Sequence, residues 1–326
     1  MSDSHVMKMV RVAVAVSSVI LLSTASRAAQ NFPEKPARII VNLTPGGGVD
    51  AVARIVAQHY NAVWKQPFIV DNRPGAGGVI GIDTVAKAAP DGYTLLVCSS
   101  GIVTNAVFRP EGYDPVRDFQ PVTKLTANPY LIVVNPTLKV NNIKELIALA
   151  KSKQGGISYA SSGSGSILHM GGALLSVLTG VPMLHVPYRG VADAYPAVVS
   201  GQVDWLLGAP LSALPLVKAG RLNAIAVTSA ARSKFLPDLP TVAESGVPGY
   251  DVVAWFGMFA PAHLPRDILA KLNLEAARAM NSPEVAKRME IEATDIGGNS
   301  PQEFGAEVKA EFEKWRDLVK KTGIKL

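Results

Sequence analysis

Two short stretches of this sequence hold residues whose types and spacing suit the capture of an anion. The first is TPGGGVD, where Thr44 and Pro45 precede Gly46, Gly47 and Gly48, and Val49 and Asp50 follow. It sits between a β-branched run, RIIVNL, and an amphipathic run in which Val52, Ile55, Val56, Tyr60 and Val63 share one helical face. Glycines let main-chain N–H groups come close to a ligand. The free N–H groups at a helix start, together with the positive helix end, form an anion site. Asp50 is placed to cap that helix by accepting its N–H groups. Taken alone, the stretch reads equally well as a tight strand-to-helix turn. The second stretch is ISYASSGSGSILHM, in which Ser161, Ser162, Gly163, Ser164, Gly165 and Ser166 end a strand and open a helix. Here hydroxyls add donors to the amides. A third loop, CSSGIVTN, follows the strand YTLLVCS and offers Ser99, Ser100 and Thr104. Charge-assisted hydrogen bonds contribute about 1.5–3 kcal/mol each. Four or five of them, less the costs of association, reach micromolar affinity at about −8 kcal/mol.

The same residues exclude most chemistry. No Gly-Lys-Ser/Thr follows the first loop, so it is not a P-loop, and it is not GxGxxG either. Ser166 and His169 stand three apart, but a nucleophile elbow needs G-x-S-x-G and this segment reads S-G-S-G-S. His169 on an apolar helix face reads as a packed or helix-bonded histidine. His59, His185 and His263 are separate from each other and from cysteine, and HExxH, CxxC and paired-carboxylate patterns do not occur. No cofactor or metal is expected. Cys98, the single cysteine, lies in an apolar strand and reads as an inert core thiol. Arg189, in VPYRG, follows a strand and could reach a ligand or pair at the surface.

The elements that position these loops alternate. RIIVNL, FIVDN and YTLLVCS are strands separated by helical runs, which makes a βαβαβ unit. A second such unit runs from YLIVVN through ISYAS, MLHVPY, DWLLG and NAIAVTS. A proline-rich connection, the strand DVVAWFGMFA and a helical tail follow. Near-continuous apolar strands imply parallel sheets covered on both faces. At 326 residues and 48% hydrophobic content the chain is long enough for two α/β lobes, with the tail packed on one of them. YLIVVN and DVVAWFGMFA are candidate crossings between the lobes. Ligands of such folds sit at the carboxyl ends of the strands, where all three polar loops lie.

The first 28 residues are read as a secretory signal peptide: Lys8 and Arg11, the apolar run VAVAVSSVILL, then STASRAAQ, with cleavage after Ala28. No cysteine stands at the cleavage site, so the exported protein is expected to be periplasmic and not lipid-anchored. The net charge is +6, of which the signal segment carries +2. Basic residues are scattered, without the clustered footprint that nucleic acid requires. A monomer is expected.

A series of segments also carries a family resemblance: PEKPARIIVNLTPGGGVDAVARIVAQ, VDNRPGAGGVIG, AAPDGYTLLV, DFQPVTKLTANPYLIVVNP, YASSGSGSILHM, HVPYRGVADAYPAVVSGQVD, AGRLNAIAVTS and LPDLPTVAESGVPGYDV. In order and over nearly the whole mature chain, they resemble the Bug family, the substrate-binding proteins of tripartite tricarboxylate transporters. The resemblance implies a type II periplasmic binding protein fold: two α/β lobes, each a mainly parallel sheet flanked by helices, joined by two crossing strands as a hinge. On the sequence, residues 29–128 plus 253–326 form lobe 1 and residues 129–252 form lobe 2. The resemblance also implies a ligand carboxylate held by backbone amides and ordered waters, without a salt bridge. By resemblance the carboxylate-facing positions are Thr44, Gly46, Gly47, Gly48 and Asp50, and Ser161, Ser162, Gly163, Ser164 and Ser166. Ser99, Ser100 and Arg189 join them from the residues alone. This chain has Val49 where many members carry a polar residue, and DWLLGAPL is more apolar than many equivalents; both hint at a less polar ligand, a monocarboxylate with an apolar or aromatic body.

The expected function is an exported receptor that captures a small organic acid and delivers it to the inner-membrane subunits of a tripartite tricarboxylate-type transporter. A ligand sensor for a membrane signalling partner and a secreted Ser/His hydrolase are the alternatives.

Overall fold

The computed structural model describes residues 31–188, 191–291 and 294–324. The segment read as a signal peptide and Arg189 lie outside the described residues. From the amino end the chain forms β1 (Ala37–Val41), α1 (Gly48–Trp64), β2 (Phe68–Asn72), α2 (Val79–Ala86), β3 (Thr94–Ser99), α3 (Gly101–Phe108) and β4 (Phe119–Pro129). It continues with β5 (Leu131–Val134), α4 (Ile143–Ser152), β6 (Ile157–Ser161), α5 (Ile167–Thr179), β7 (Met183–Pro187), α6 (Val191–Val199), β8 (Trp205–Gly208), α7 (Pro210–Lys218) and β9 (Asn223–Val227). The last part is β10 (Val253–Pro261), α8 (Arg266–Met280), α9 (Pro283–Ile291), β11 (Asp295–Ile296) and α10 (Pro301–Thr322).

Two sheets result, ordered β11-β4-β10-β3-β1-β2 and β7-β6-β8-β5-β9. β1 pairs in parallel with β2 and β3, and β6 with β7 and β8. Each sheet is a set of strands running one way with antiparallel strands inserted, so the sheets are mixed. β10 runs antiparallel to β3 and β4, and β5 antiparallel to β8 and β9. The reason is connectivity: a strand arriving from the other lobe enters from the edge where the parallel strands end, so it runs against them.

The crossings tie together at one residue. β4 ends at Pro129, opposite Val253 of β10, and β5 begins at Leu131, opposite Gly208 and Val227. Between them Thr228, fully buried, satisfies all its polar groups. Its N–H donates to Tyr130 O (2.9 Å) and its carbonyl accepts from Val252 N–H (2.9 Å). Its hydroxyl accepts from Tyr130 N–H (2.8 Å) and donates to Val252 O (2.6 Å). Because both crossings leave from strand ends, the carboxyl edges of the two parallel sets face each other across this junction.

Two sequence expectations change. The tail does not pack on one lobe only: α10 lies against α3 and β4 of the first sheet and against α5 of the second. At 22 residues it is about 33 Å long, enough to straddle both, and Phe304, Val308, Trp315 and Leu318 form its buried stripe. Glu311 on the same helix accepts indole N–H groups from Trp255 (2.6 Å) and Trp315 (3.0 Å). The other change is CSSGIVTN, read as loop, which from Gly101 onward is helix α3. Ser99 closes β3, so the loop is reduced to Ser100.

Candidate functional site

The first loop is built by its neighbours. β1 is buried at Ile39, Ile40 and Val41 and sits between β2 and β3, so Val41, Asn72 and Ser99 end on one edge. The chain then turns outward, and Thr44 to Gly48 are exposed. Gly46 has φ +86°, the left-handed region that favours glycine. Helix α1 starts at Gly48 with Gly47 as N-cap, and Gly47 offers no side chain to cap it. The first intrahelical bond is Ala51 N–H to Gly47 O (3.0 Å). The N–H groups of Gly48, Val49 and Asp50 therefore precede the ladder and stand at the positive helix end.

Asp50 does not cap the helix as expected. Its buried carboxylate turns back on the loop: Oδ2 accepts from Gly46 N–H (3.0 Å) and Arg54 Nε (3.0 Å), and Oδ1 from Asn72 Nδ2 (3.0 Å). Asn72 Nδ2 also donates to Leu43 O (3.1 Å). Asp50 is the third helical residue, so its side chain reaches the preceding turn more easily than the N–H groups beside it. Arg54, ahead of Gly46 and Asn72, holds the carboxyl down to about 2. The aspartate thus fixes the shape of the loop, and Arg54 offsets its charge where an anion would approach. Val49 is buried in the core of the first lobe, so its side chain faces no ligand.

The second loop has the same outline and a different brace. Ser166 is the N-cap of α5, and its hydroxyl accepts from His169 N–H (3.3 Å) and donates to Gly163 O (2.7 Å). Ser161 is fully buried, accepts from Gly163 N–H (3.1 Å) and lies 2.7 Å from His185 Nε2. Gly165 N–H donates to His169 Nδ1 (3.0 Å). The two imidazoles stack face to face, centroids 3.7 Å apart and planes within 10°. Burial, and then the neighbouring His185, pushes His169 down to about 4; burial also lowers His185. Both rings are neutral at pH 7. What this scaffold leaves unengaged is the outer surface of the loop: the hydroxyls of Ser162 and Ser164 make no hydrogen bond to another described residue, and Ser164 is exposed.

At the third position, Ser100 is buried with its N–H on Trp255 O (2.9 Å), and Ser99 Oγ accepts from Gly101 N–H (3.4 Å). Thr104 lies inside α3, its hydroxyl on Gly101 O (3.4 Å). Sequence reasoning missed a neighbour on the same edge. The glycine-rich turn after β2 packs over α3, with Asn105 Nδ2 donating to Gly77 O (2.9 Å) and Arg109 Nη1 to Ala76 O (3.3 Å). The structure thus gathers Thr44 to Gly48, Ser99 and Ser100 at one sheet edge and Ser161 to Ser166 at the edge facing it.

The Ser/His pairs are not a catalytic set. Ser166 and His169 are tied to backbone groups, and Ser161, the serine beside His185, is sealed from solvent. The Cys98 thiol is fully buried in β3 and pushed well up by that burial. No group of metal-binding side chains occurs among the described residues, and no helix among them is long and apolar enough to cross a membrane.

Comparison with known proteins decides the class. Residues 52–324 match the tripartite tricarboxylate transporter family receptor, TctC. The chain belongs to this family. It is similar to protein BugT of Bordetella pertussis, 32% identical over 314 residues that cover 94% of this chain and 96% of that one. An R. palustris protein solved with adipate aligns with a TM-score of 0.74 and 35% identity, over 90% of this chain and 99% of that one. MatC from Rhodopseudomonas palustris, with bound malate, aligns with a TM-score of 0.71 and 32% identity, over 88% and 100%. The TctC family and these neighbours are solute-binding receptors, not enzymes, which removes the hydrolase alternative. The first glycine loop lies just ahead of the matched stretch, and the serine loop within it.

Proposed function

We propose that this TctC-family receptor holds the carboxylate of a small organic acid between its two loops and delivers it to the membrane subunits of a tripartite tricarboxylate-type transporter. The observation that carries this reading is the pair of helix starts, α1 and α5, set on facing sheet edges by small residues. N–H groups of Gly48 and Val49 from one side and the amides and hydroxyls around Ser162 and Ser164 from the other supply the donors. Cations near the first loop are engaged within the protein, Arg54 on Asp50 (3.0 Å) and Arg73 on Asp71 (3.0 Å), so main-chain dipoles carry the recognition. The neighbours solved with adipate and malate support a carboxylate as ligand.

Residues 29–128 with 253–326 make one lobe of this proposal and residues 129–252 the other, closing about Tyr130, Thr228 and Val252. The protein acts as a monomer in the periplasm, released after Ala28, which amino-terminal sequencing of the exported protein would show as a chain beginning at Ala29.

The test is calorimetric titration and thermal melting against a panel of carboxylates. A ligand at a hundredfold excess over its dissociation constant stabilises by about 2.7 kcal/mol and is recovered unchanged. If no carboxylate raises the melting temperature, or if each is recovered chemically altered, the proposal fails.

A further inference from the structure

A cavity of about 270 Å³ runs from the start of α1 into the space between the lobes. Gly48, Ala51, Val52 and Ile55 line it, and their 3-1-3 spacing is one face of α1 beginning at the residue whose N–H group stands free. Phe256 of β10 and Met289 of α9 continue the wall on the first lobe. Leu211, 61% exposed in the first turn of α7, faces it from the second. This is the DWLLGAPL segment, where the second lobe is apolar. The cavity is near the lower end of the size range of small-molecule sites, roughly 300–1,000 Å³.

A second observation points to an occupant. Thr126 also lines the cavity, is 1% exposed, and its hydroxyl has no hydrogen-bond partner among the described residues. Buried polar groups are nearly always satisfied, so an orphan on a cavity wall marks a place where something else binds. Nearby Asn128 has its amide on Thr294 Oγ1 (2.5 Å), and Arg288, at the exposed rim, has a partner of its own. A second carboxylate pushed among Ala51, Val52, Ile55 and Phe256 would lose its water, with the exposed Arg288 at the rim as the charged lining residue. An apolar body gains there by leaving water.

We propose, resting on the carboxylate site described above, that this cavity receives the uncharged body of an aromatic or alicyclic monocarboxylate. The acid group sits at the start of α1 and the ring lies along Ala51, Val52 and Ile55 against Phe256 and Leu211, over Thr126, whose buried hydroxyl would turn to meet a ring substituent. The ligand class therefore differs from the dicarboxylates seen in the two structural neighbours.

The experiment is calorimetric titration of the full exported protein at pH 7 with benzoate, cyclohexanecarboxylate, adipate, malate and citrate. At least one ring acid is expected to bind ten times more tightly than adipate, malate and citrate. Tighter binding of adipate, malate or citrate overturns the assignment of ligand class and leaves the receptor reading intact; no binding by any of the five overturns both. Leu211→Asp places a charge on the cavity wall at an exposed position that suits a helix first turn, so the fold is retained. It should weaken the ring acid at least tenfold at unchanged melting temperature. Unchanged affinity in that variant removes the ligand body from this cavity.

Discussion

The two loops proposed to hold the ligand are braced with opposite electrostatics. On the first lobe a full charge does the bracing: Asp50, drawn down to about 2 by Arg54, gathers Gly46 N–H and Asn72 around itself. On the second lobe the brace is neutral, two stacked imidazoles whose burial keeps them unprotonated, with His169 at about 4. The contrast teaches what the site must avoid. An anion held by main-chain dipoles gains from N–H groups aimed outward. It loses from an unpaired carboxylate nearby, and it needs the loop to keep its shape without water. The charged brace satisfies this because Arg54 cancels Asp50. The neutral brace satisfies it because each histidine is only a geometric partner, one accepting from Gly165 N–H and the other beside Ser161.

The comparison can be broken first at the point common to both loops, the bare backbone. Gly47 has φ −83° and ψ 172°, which any residue adopts, and the nearest atom to an added Cβ is Thr44 O at 3.9 Å. Gly47→Val should therefore fold normally, yet cover the N–H groups of α1 and reduce affinity a hundredfold or more. A titration with wild-type affinity would show that the first loop does not meet the ligand. Next is the charged brace. Asp50→Ala strands Arg54, Asn72 and the Gly46 amide, and losing a hydrogen-bonded charged partner costs about 1–3 kcal/mol. Denaturant unfolding should show that loss, together with weaker ligand binding.

The neutral brace should yield less. His169→Ala removes the acceptor for Gly165 N–H and should weaken ligand binding about tenfold, whereas His169→Asn keeps an acceptor near the Nδ1 position and should restore most of it. Equal affinities in the two variants would deny the loop-shaping role. The smallest effect separates the braces by pH. His169 has a folded value near 4 against about 6.5 when free. Between those values the unfolded chain binds more protons, and stability falls as pH drops through that window. Asp50, at about 2 against 3.8, has the same sign but a lower window, from 3.8 down to 2. Acid should loosen the second loop before the first. The difference in stability between wild type and His169→Asn should shrink or invert between pH 6.5 and 4, and a difference independent of pH would contradict the assignment.

Much of this was legible because it is local. A β-branched run that breaks into glycines and then turns amphipathic dictates strand, loop and helix within some twenty residues, and the strand–loop–helix form of both loops was read that way. What escaped depends on distance along the chain. His169 and His185 lie on α5 and β7, and nothing in their spacing says that the rings stack. Asp50 was assigned to the helix cap by the usual preference, but its partners Asn72 and Arg54 come from the end of β2 and the next helical turn. CSSGIVTN was read as loop because its serines and glycine promise a turn, while packing against α10 makes Gly101–Phe108 a helix. β4 was overlooked because Pro121 and Pro129 disguise a strand that β10 and β11 complete. Val49 looked like a missing ligand contact; the helix phase buries it instead.

The most direct test is a ligand-bound crystal structure of the exported protein. The account predicts a ligand carboxylate with its oxygens about 2.7–3.2 Å from main-chain N–H groups at the start of α1, facing the Ser162 to Ser164 turn, with Arg54 still on Asp50. A carboxylate paired chiefly with an arginine or lysine side chain, or lying away from both helix starts, would contradict it.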